Sequence, residues 1–419
     1  MVDIRNFKGL MYNPDKSGDL SLNICPPFDV ISPNLQNELY SRSQFNLIRL
    51  EFGKEFQEDT ENSNKYIRAA NFLNDWFLNN ILVYDDSFNF YLTEEEFSFQ
   101  NHNYSRTGIT VLVKLEDLEN GYILPHENTR SGPKEDRLSL MKETKCNFSP
   151  LMSLYNDESG KIKRIIESYK TNNPKLIINF NESKLKLWKV KDLKQINEIK
   201  KHMMNKKLML ADGHHRYETS INYQEKFSKS KESNESSNFR LMTLFSLDDP
   251  GVLMLGYHRV VFGLSNEEKN LLKNFLTVNA ENVMKGDIND FNKSENDFNI
   301  LFINENDSLI YTFKSKNMYD NQYKLLNDYI LKNIFDDERL NQVIDYQHDF
   351  FSIQQSVKNK EIDFAFIMKP LNKNKFEDLV MNREKLPPKS TFFHPKLHSG
   401  LVIQNLDSEV NDNKEFKIV

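Results

Sequence analysis

Only two cysteines stand in 419 residues, Cys25 and Cys146. They are too few and too far apart for a disulfide framework or a cysteine-based zinc site, and they suit a reducing compartment. No run of about 20 apolar residues occurs, so no membrane-spanning helix is expected. The first residues, MVDIRNFKGLMYNP, hold no long apolar core, so no secretory leader is expected and the chain reads as cytoplasmic. Glycine is scarce, at 13 residues. The patterns G-x-G-x-x-G, G-x-S-x-G, H-E-x-x-H and C-x-x-C are all missing, which removes the familiar dinucleotide, hydrolase, zinc-protease and redox templates. A basic excess is missing too: 55 Lys and Arg face 61 Asp and Glu, a net charge of −6. Nothing electrostatic therefore calls for nucleic acid as a partner.

What is present is a globular composition, 38% hydrophobic and 28% charged. Periodicity predicts a mixed α+β fold with antiparallel hairpins and an additional α+β C-terminal region. Ser32 and Pro33 are the cap and first residue of a helix running to about Ser43. Asn46–Phe52 alternates like a strand, and Asn64–Asn79 carries a helical apolar stripe. Phe88–Phe99 and Thr107–Leu115 read as a hairpin joined by the polar stretch Gln100–Arg106. Leu176–Phe180 and Leu185–Val190 read as a second hairpin, and Leu193–Met203 as a helix. Ser228–Asn238 (SKSKESNESSN) is polar and of low complexity, hence a flexible loop. The expected organisation is an N-terminal α/β region over 1–227 with the D-G-H-H-R site, a flexible polar loop over 228–240 and an α+β C-terminal region over 241–419 that contributes the KSTFFHPK loop to the same site.

The densest chemistry lies in KLMLADGHHRYETSINY. Leu208–Leu210 form a short buried strand, Asp212-Gly213 a turn, and a helix starts at His214. Such a start presents backbone N–H groups and a positive dipole end, and Gly213 lets a ligand approach closely. Asp212, His214, His215 and Arg216 crowd around it. A second cluster, LPHENTRSGPKEDR, places Arg130, Lys134 and Arg137 on a Gly-Pro loop suited to phosphate or carboxylate, with His126 and Glu127 available for acid–base work. A third, LPPKSTFFHPKLHSGL, offers Lys389, Ser390, Thr391 and Lys396 as anion ligands. Its K-S-T looks like the end of a phosphate-binding loop, but the upstream glycines are absent and that reading fails. Asp29, on a Pro-stiffened loop, and His258-Arg259, on alternate faces of a strand, are further candidates. His214 and His215 diverge by about 100° on a helix and cannot easily share one metal ion. The identity of any protein-bound metal is left open.

CPPFDVIS, PHENTRSGPKEDR, NFSPLMSLY, LMLADGHHRYETSINY, DDPG with HRVV, and PPKSTFFHPKLHSGLVI occur in this order. Together they resemble the bacterial and archaeal family known as domain of unknown function number 1015, over nearly the whole chain. D-G-H-H-R is also similar to the D-G-H-x-R signature of the ParB/sulfiredoxin superfamily, which includes partition proteins, sulfiredoxins and free-serine kinases. The resemblance implies a ParB/sulfiredoxin-like core. It implies Asp212 as base or magnesium partner, with Gly213, His214, His215 and Arg216 around the transferred phosphate. A sulfiredoxin needs cysteine where this chain has His214. A partition protein needs a basic helix-turn-helix, and none is visible. The kinase reading keeps Asp29, Glu51 and Glu127 as competitors for a second acid.

The function expected is therefore a nucleotide-dependent phosphotransferase acting on a small hydroxylated or phosphorylated metabolite, a free amino acid such as serine among the possibilities, with Mg²⁺ and ATP or ADP. The rivals are a phosphatase using the same pocket, and a ParB-like nucleotide-binding regulator.

Overall fold

Phe90–Phe99 and His102–Lys114, each apolar and buried at the end away from their shared turn, form the long central hairpin of the protein. In the computed structural model, residues 1–127, 129, 131–180, 183–231, 233–294, 298–314 and 321–410 are described. The fold is mixed α+β. Contacts divide the chain into two units. The first comprises Met1–Pro125, Thr129–Leu253 and the chain from Pro395 on; the second comprises His126–Asn128 and Met254–His394. The expected break at 228–240 differs from this division, because the Phe239–Ser246 strand pairs in register with His102–Lys114 and stays in the first unit.

The first unit is built on a nine-stranded sheet. From one edge, eight of its strands run Ile123–Pro125, Leu208–Asp212, Leu151–Tyr155, Phe239–Ser246, His102–Lys114, Phe90–Phe99, Ser183–Val190 and Leu176–Phe180. The ninth, Ile4–Arg5, pairs with His102–Lys114. One face carries an apolar core of Leu92, Ile109, Val111, Leu151, Leu208, Leu210 and Leu244, closed by Tyr217 and by Ile196, Ile199 and Met203 of the Leu193–Met203 helix. Burying a side chain of this size stabilises by about 1.5–3 kcal/mol. A separate core gathers Leu39, Leu47, Ile48, Leu50, Ala69 and Trp76 around the Pro33–Arg42 and Lys65–Leu78 helices. Ser32 and Asn64 cap these two helices through their side chains.

Three expectations are corrected. Asn46–Phe52 is not a strand: Ile48–Glu51 is a helical turn, nucleated by Asn46, whose Oδ1 accepts from the Ile48 N–H at 3.0 Å. Gln100–Arg106 is not a linker. The turn is Gln100-Asn101, both at positive φ (49° and 63°), and the strands run on through Arg106. The far end of Ser228–Asn238 is built into the unit: Ser236 and Asn238 are fully buried, and the Asn238 amide donates to the Ser230 and Ser233 carbonyls.

The second unit has a six-stranded antiparallel sheet in the order Asn282–Lys285, Ser308–Thr312, Asn299–Ile303, Phe364–Ile367, His258–Val261, Ile344–Gln347. Val260, Leu301, Ile310, Ala365 and Ile367 pack with Ile353 and Val357 of the Phe350–Lys358 helix. Among the described residues, no helix of the protein is long and apolar enough to cross a membrane.

Candidate functional site

The Leu208–Asp212 strand is buried up to Ala211, and its register against Leu151–Tyr155 shifts between Leu210 and Asp212. The chain then turns at Gly213, at φ +95°, into the 14-residue helix His214–Phe227. Gly213 stands at the N-cap position and brings no side chain there. A Cβ on Gly213 would meet Leu151 Cδ2 at 2.5 Å and the Arg216 guanidinium at 3.1–3.2 Å. Glycine is thus required twice, by the backbone angle and by the closeness of the neighbours.

Asp212 is gripped from two sides. Arg216 Nη2 donates to its Oδ2 at 2.7 Å, and Lys396 Nζ donates to its Oδ1. Arg216 is buried and spends its other arm on Ser149 Oγ at 2.9 Å and the Pro150 carbonyl at 3.2 Å. His214 is buried and His215 half-buried at the helix start, where the Thr219 hydroxyl donates to the His215 carbonyl. A carboxylate oxygen carries more than one lone pair, so an Asp212 oxygen can accept more than one hydrogen bond.

Arg137 and Arg216 come together around a cavity of about 20 Å³, room for one water-sized group. Its lining adds Glu51 and Arg240, with Asn147, Ser149 and Cys146. Arg137 donates twice to Asp136 Oδ2, at 2.8 and 2.5 Å, and once to the Glu51 carbonyl at 2.7 Å, while its guanidinium lies 4.2 Å from the Phe28 ring centre. Arg240 donates to the Ser149 carbonyl at 2.9 Å, but its Nε has no hydrogen-bond partner among the described residues. Burial first, and the neighbouring Arg216 second, push Arg240 down to about 9, with Glu51 opposing. The guanidinium is still charged at neutral pH. Glu51 Oε1 is likewise buried without a hydrogen-bond partner among the described residues, with Arg137 Nη1 at 3.9 Å. Arg240 escaped the sequence reading. Its signal was a lone cation inside the apolar run F-R-L-M-T-L-F.

Lys134, on the Ser131–Thr144 helix, pairs with the His214–Phe227 helix. Glu218 Oε2 accepts from Lys134 Nζ at 2.9 Å and from the Thr129 hydroxyl at 2.6 Å. Lys134 is thus committed to a carboxylate and would have to leave it to meet a phosphate. Asp29 is exposed in the short 3₁₀ turn Phe28–Val30. Arg130 lies outside the described residues.

The remaining candidates belong to the second unit. His126 is fully buried, edge-on to Phe376, with Nε2 2.7 Å from the Thr391 hydroxyl. Glu127 Oε1 accepts from the backbone N–H of Ser390 at 3.1 Å and lies 3.8 Å from His126 Nε2. The Ser390 hydroxyl donates to the Pro387 carbonyl. Lys389 is at φ +59° with its ammonium 5.3 Å from the Tyr257 ring centre. Arg259 is fully buried between Tyr323 and Tyr346, and its Nε and Nη2 have no hydrogen-bond partner among the described residues. His258 accepts at Nδ1 from the Met368 N–H. Burial, then Arg259 and His348, hold its pKa down to about 3, so it is neutral and is not a proton carrier at neutral pH.

Among the described residues, no group of three or more His, Cys, Asp or Glu is placed to hold a metal ion. No curated protein matches the chain. Among solved structures, a conserved hypothetical protein from Pyrococcus furiosus is 13% identical, with a TM-score of 0.40 over 71% of this chain and 95% of its own. A free serine kinase in complex with AMP is 14% identical, with a TM-score of 0.38 over 73% of this chain and 90% of its own. SbnI from Staphylococcus aureus with a C-terminal truncation is 11% identical, with a TM-score of 0.40 over 70% of this chain and 87% of its own. The family model described as "Protein of unknown function (DUF1015)" matches residues 4–347, and the chain belongs to that family.

Proposed function

We propose that the protein is a nucleotide-dependent phosphotransferase acting on a small hydroxylated metabolite. The observation that carries this reading is the clamp on Asp212: a carboxylate at the head of the His214–Phe227 helix, held by Arg216 and Lys396. Phosphoryl transfer needs little covalent help from a protein; it needs positioning and neutralisation of charge. A phosphate arriving over Gly213 meets the helix dipole and competes with Asp212 for the Lys396 ammonium. Release of Lys396 would free Asp212 Oδ1 to accept the proton of the attacking hydroxyl. The hydroxyl oxygen then bonds to the transferred phosphorus while the bond to the departing nucleotide oxygen breaks. Arg216 keeps its grip on Ser149 and holds the geometry.

Among the described residues no three His, Cys, Asp or Glu are grouped to hold the magnesium of this reading. It would be carried by the nucleotide phosphates, and no step here depends on its position. Lys389, Ser390, Thr391, His126, Glu127 and Arg259 remain proposed ligand groups of the second unit.

The test is to incubate the pure protein with ATP or ADP, magnesium and a panel of hydroxylated metabolites, following phosphorus by NMR. Transfer is expected in the wild type, and Asp212→Asn should slow it by about 10²–10⁴-fold, the usual worth of a general base. No transfer, together with no nucleotide binding by calorimetry, overturns the proposal. Release of free phosphate from a phosphorylated metabolite without nucleotide selects the phosphatase instead.

A further inference from the structure

One face of the nine-stranded sheet is apolar where Tyr91, Leu112, Leu187 and Leu241 pack. Further along the same strands it becomes polar. Glu95 and Arg106 are directly opposed partners, as are Thr110 and Thr243, and Thr93 faces Gly108. Opposed residues in an antiparallel pair project to the same side. Arg106 donates from Nε and Nη2 to Glu95 Oε2 at 2.9 and 2.6 Å. The pair is almost wholly buried, Arg106 at 1% and Glu95 at 4% exposure. Against the upward push of burial, Arg106 and His398 hold Glu95 down to about 2, so it is ionised.

The arrangement leaves open valences. Glu95 Oε1, Arg106 Nη1 and His398 Nδ1 are buried without a hydrogen-bond partner among the described residues, and His398 Nε2 lies 3.6 Å from Glu95 Oε1. All three residues line one cavity of about 30 Å³, with Thr93, Thr110 and Thr243. The space holds roughly two water molecules, or the head of one small ligand whose body stays outside. Burying a charge pair is costly, and each unmet polar atom adds to that cost. A core that only had to pack would carry apolar side chains here.

We propose that this cavity is a binding subsite for a small α-substituted carboxylate, an amino acid or a hydroxy acid. The ligand carboxylate accepts from Arg106 Nη1. The ammonium or hydroxyl on the adjacent carbon donates to Glu95 Oε1. His398, set edge-on against Phe180 at 4.5 Å, supplies the third contact through Nδ1. Gly108 lets Phe245 and Thr243 of the cavity wall pack directly on the strand: a Cβ there would strike both at 2.6 Å. The subsite does not depend on phosphoryl transfer, because it is formed without the Asp212 clamp and is read without nucleotide.

The experiment is calorimetric titration of the full chain, nucleotide-free, with glycine, glycolate and glycerol. Saturable one-to-one binding of glycine or glycolate is expected, with glycerol at least tenfold weaker. Preference for glycine identifies the ammonium donor, and preference for glycolate the hydroxyl. His398→Ala, and the double change Glu95→Gln with Arg106→Gln, should each raise Kd at least tenfold. A second readout needs no variant: saturating ligand should slow amide hydrogen exchange of residues 396–402 in the wild type. Failure of both carboxylates to bind, unchanged affinity in folded His398→Ala, or unchanged exchange over 396–402 at saturation overturns the proposal. Any of these results leaves the phosphotransfer reading standing.

Discussion

Replacing Gly213 by Ala tests the strand–turn–helix geometry on which the site stands. Two costs are separable. At φ +95° an alanine pays about 1–2 kcal/mol for the crowding of its Cβ against the backbone. The same Cβ meets Leu151 Cδ2 at 2.5 Å, and Leu151 is fully buried in the main core. Its displacement adds about 1–3 kcal/mol by analogy with overpacked cores. The sum, about 2–5 kcal/mol, corresponds to a fall in Tm of roughly 4–15 °C for a unit of this size. Differential scanning calorimetry on Gly213→Ala reads it. Gly132→Ala is the control, since nothing lies within 4 Å of a Cβ there. That change sits in the exposed first turn of the Ser131–Thr144 helix and should stabilise by about 0.5 kcal/mol. A Gly213→Ala protein that melts with the wild type would refute the close approach of Leu151 and Arg216 to the turn.

Lys200 is buried, its Nζ donating to Asn6 Oδ1, and burial, then Arg5, lower its pKa to about 8. The unfolded chain therefore binds more protons between pH 8 and 10.5, and stability should climb across that window by at most about 3 kcal/mol. In Lys200→Met the climb should vanish from urea titrations repeated at each pH. Glu95 and Asp136 act with the same sign in an acid window: against the upward push of burial, Arg106 and His398 hold Glu95, and Arg137 and Lys65 hold Asp136, near 2 in the fold. Their contribution is complete above their unfolded values and should be lost as pH falls from about 4.5 to 2, followed by circular dichroism. Arg137→Lys gives up the paired donation to Asp136 and the contact with Phe28, and should cost about 2 kcal/mol in urea unfolding.

Local signals were legible where they were complete in the sequence. Ser32-Pro33 marked a helix start, Leu193–Met203 carried its stripe from end to end, and Asp212-Gly213 announced the turn before His214. Four residues of helix at Ile48–Glu51 are too few to show a 3.6 period, so Asn46–Phe52 read as alternating. The polar tract ending at Asn238 read as loop because the carbonyls its amide joins, at Ser230 and Ser233, are a property of the folded chain. The candidate site was legible as a list of groups and not as an arrangement. Asp212 and Lys396 stand 184 residues apart, and no local pattern pairs them. Arg240 and Arg106 were hidden for another reason: inside a strand, a charge reads as an interruption of an apolar run until its partner strand is known. The structure also divides the candidates, giving Arg137, Arg216 and Lys396 to the first unit and Lys389, His126 and Arg259 to the second.

The central claim is that an anionic ligand docks at the start of the His214–Phe227 helix. Backbone amide shifts of isotope-labelled protein during titration with ATP or ADP address it directly. The account predicts saturable shifts at Gly213, His214 and His215, weakened at least tenfold in Lys396→Met. Shifts that saturate elsewhere while these three amides stay unmoved would contradict it.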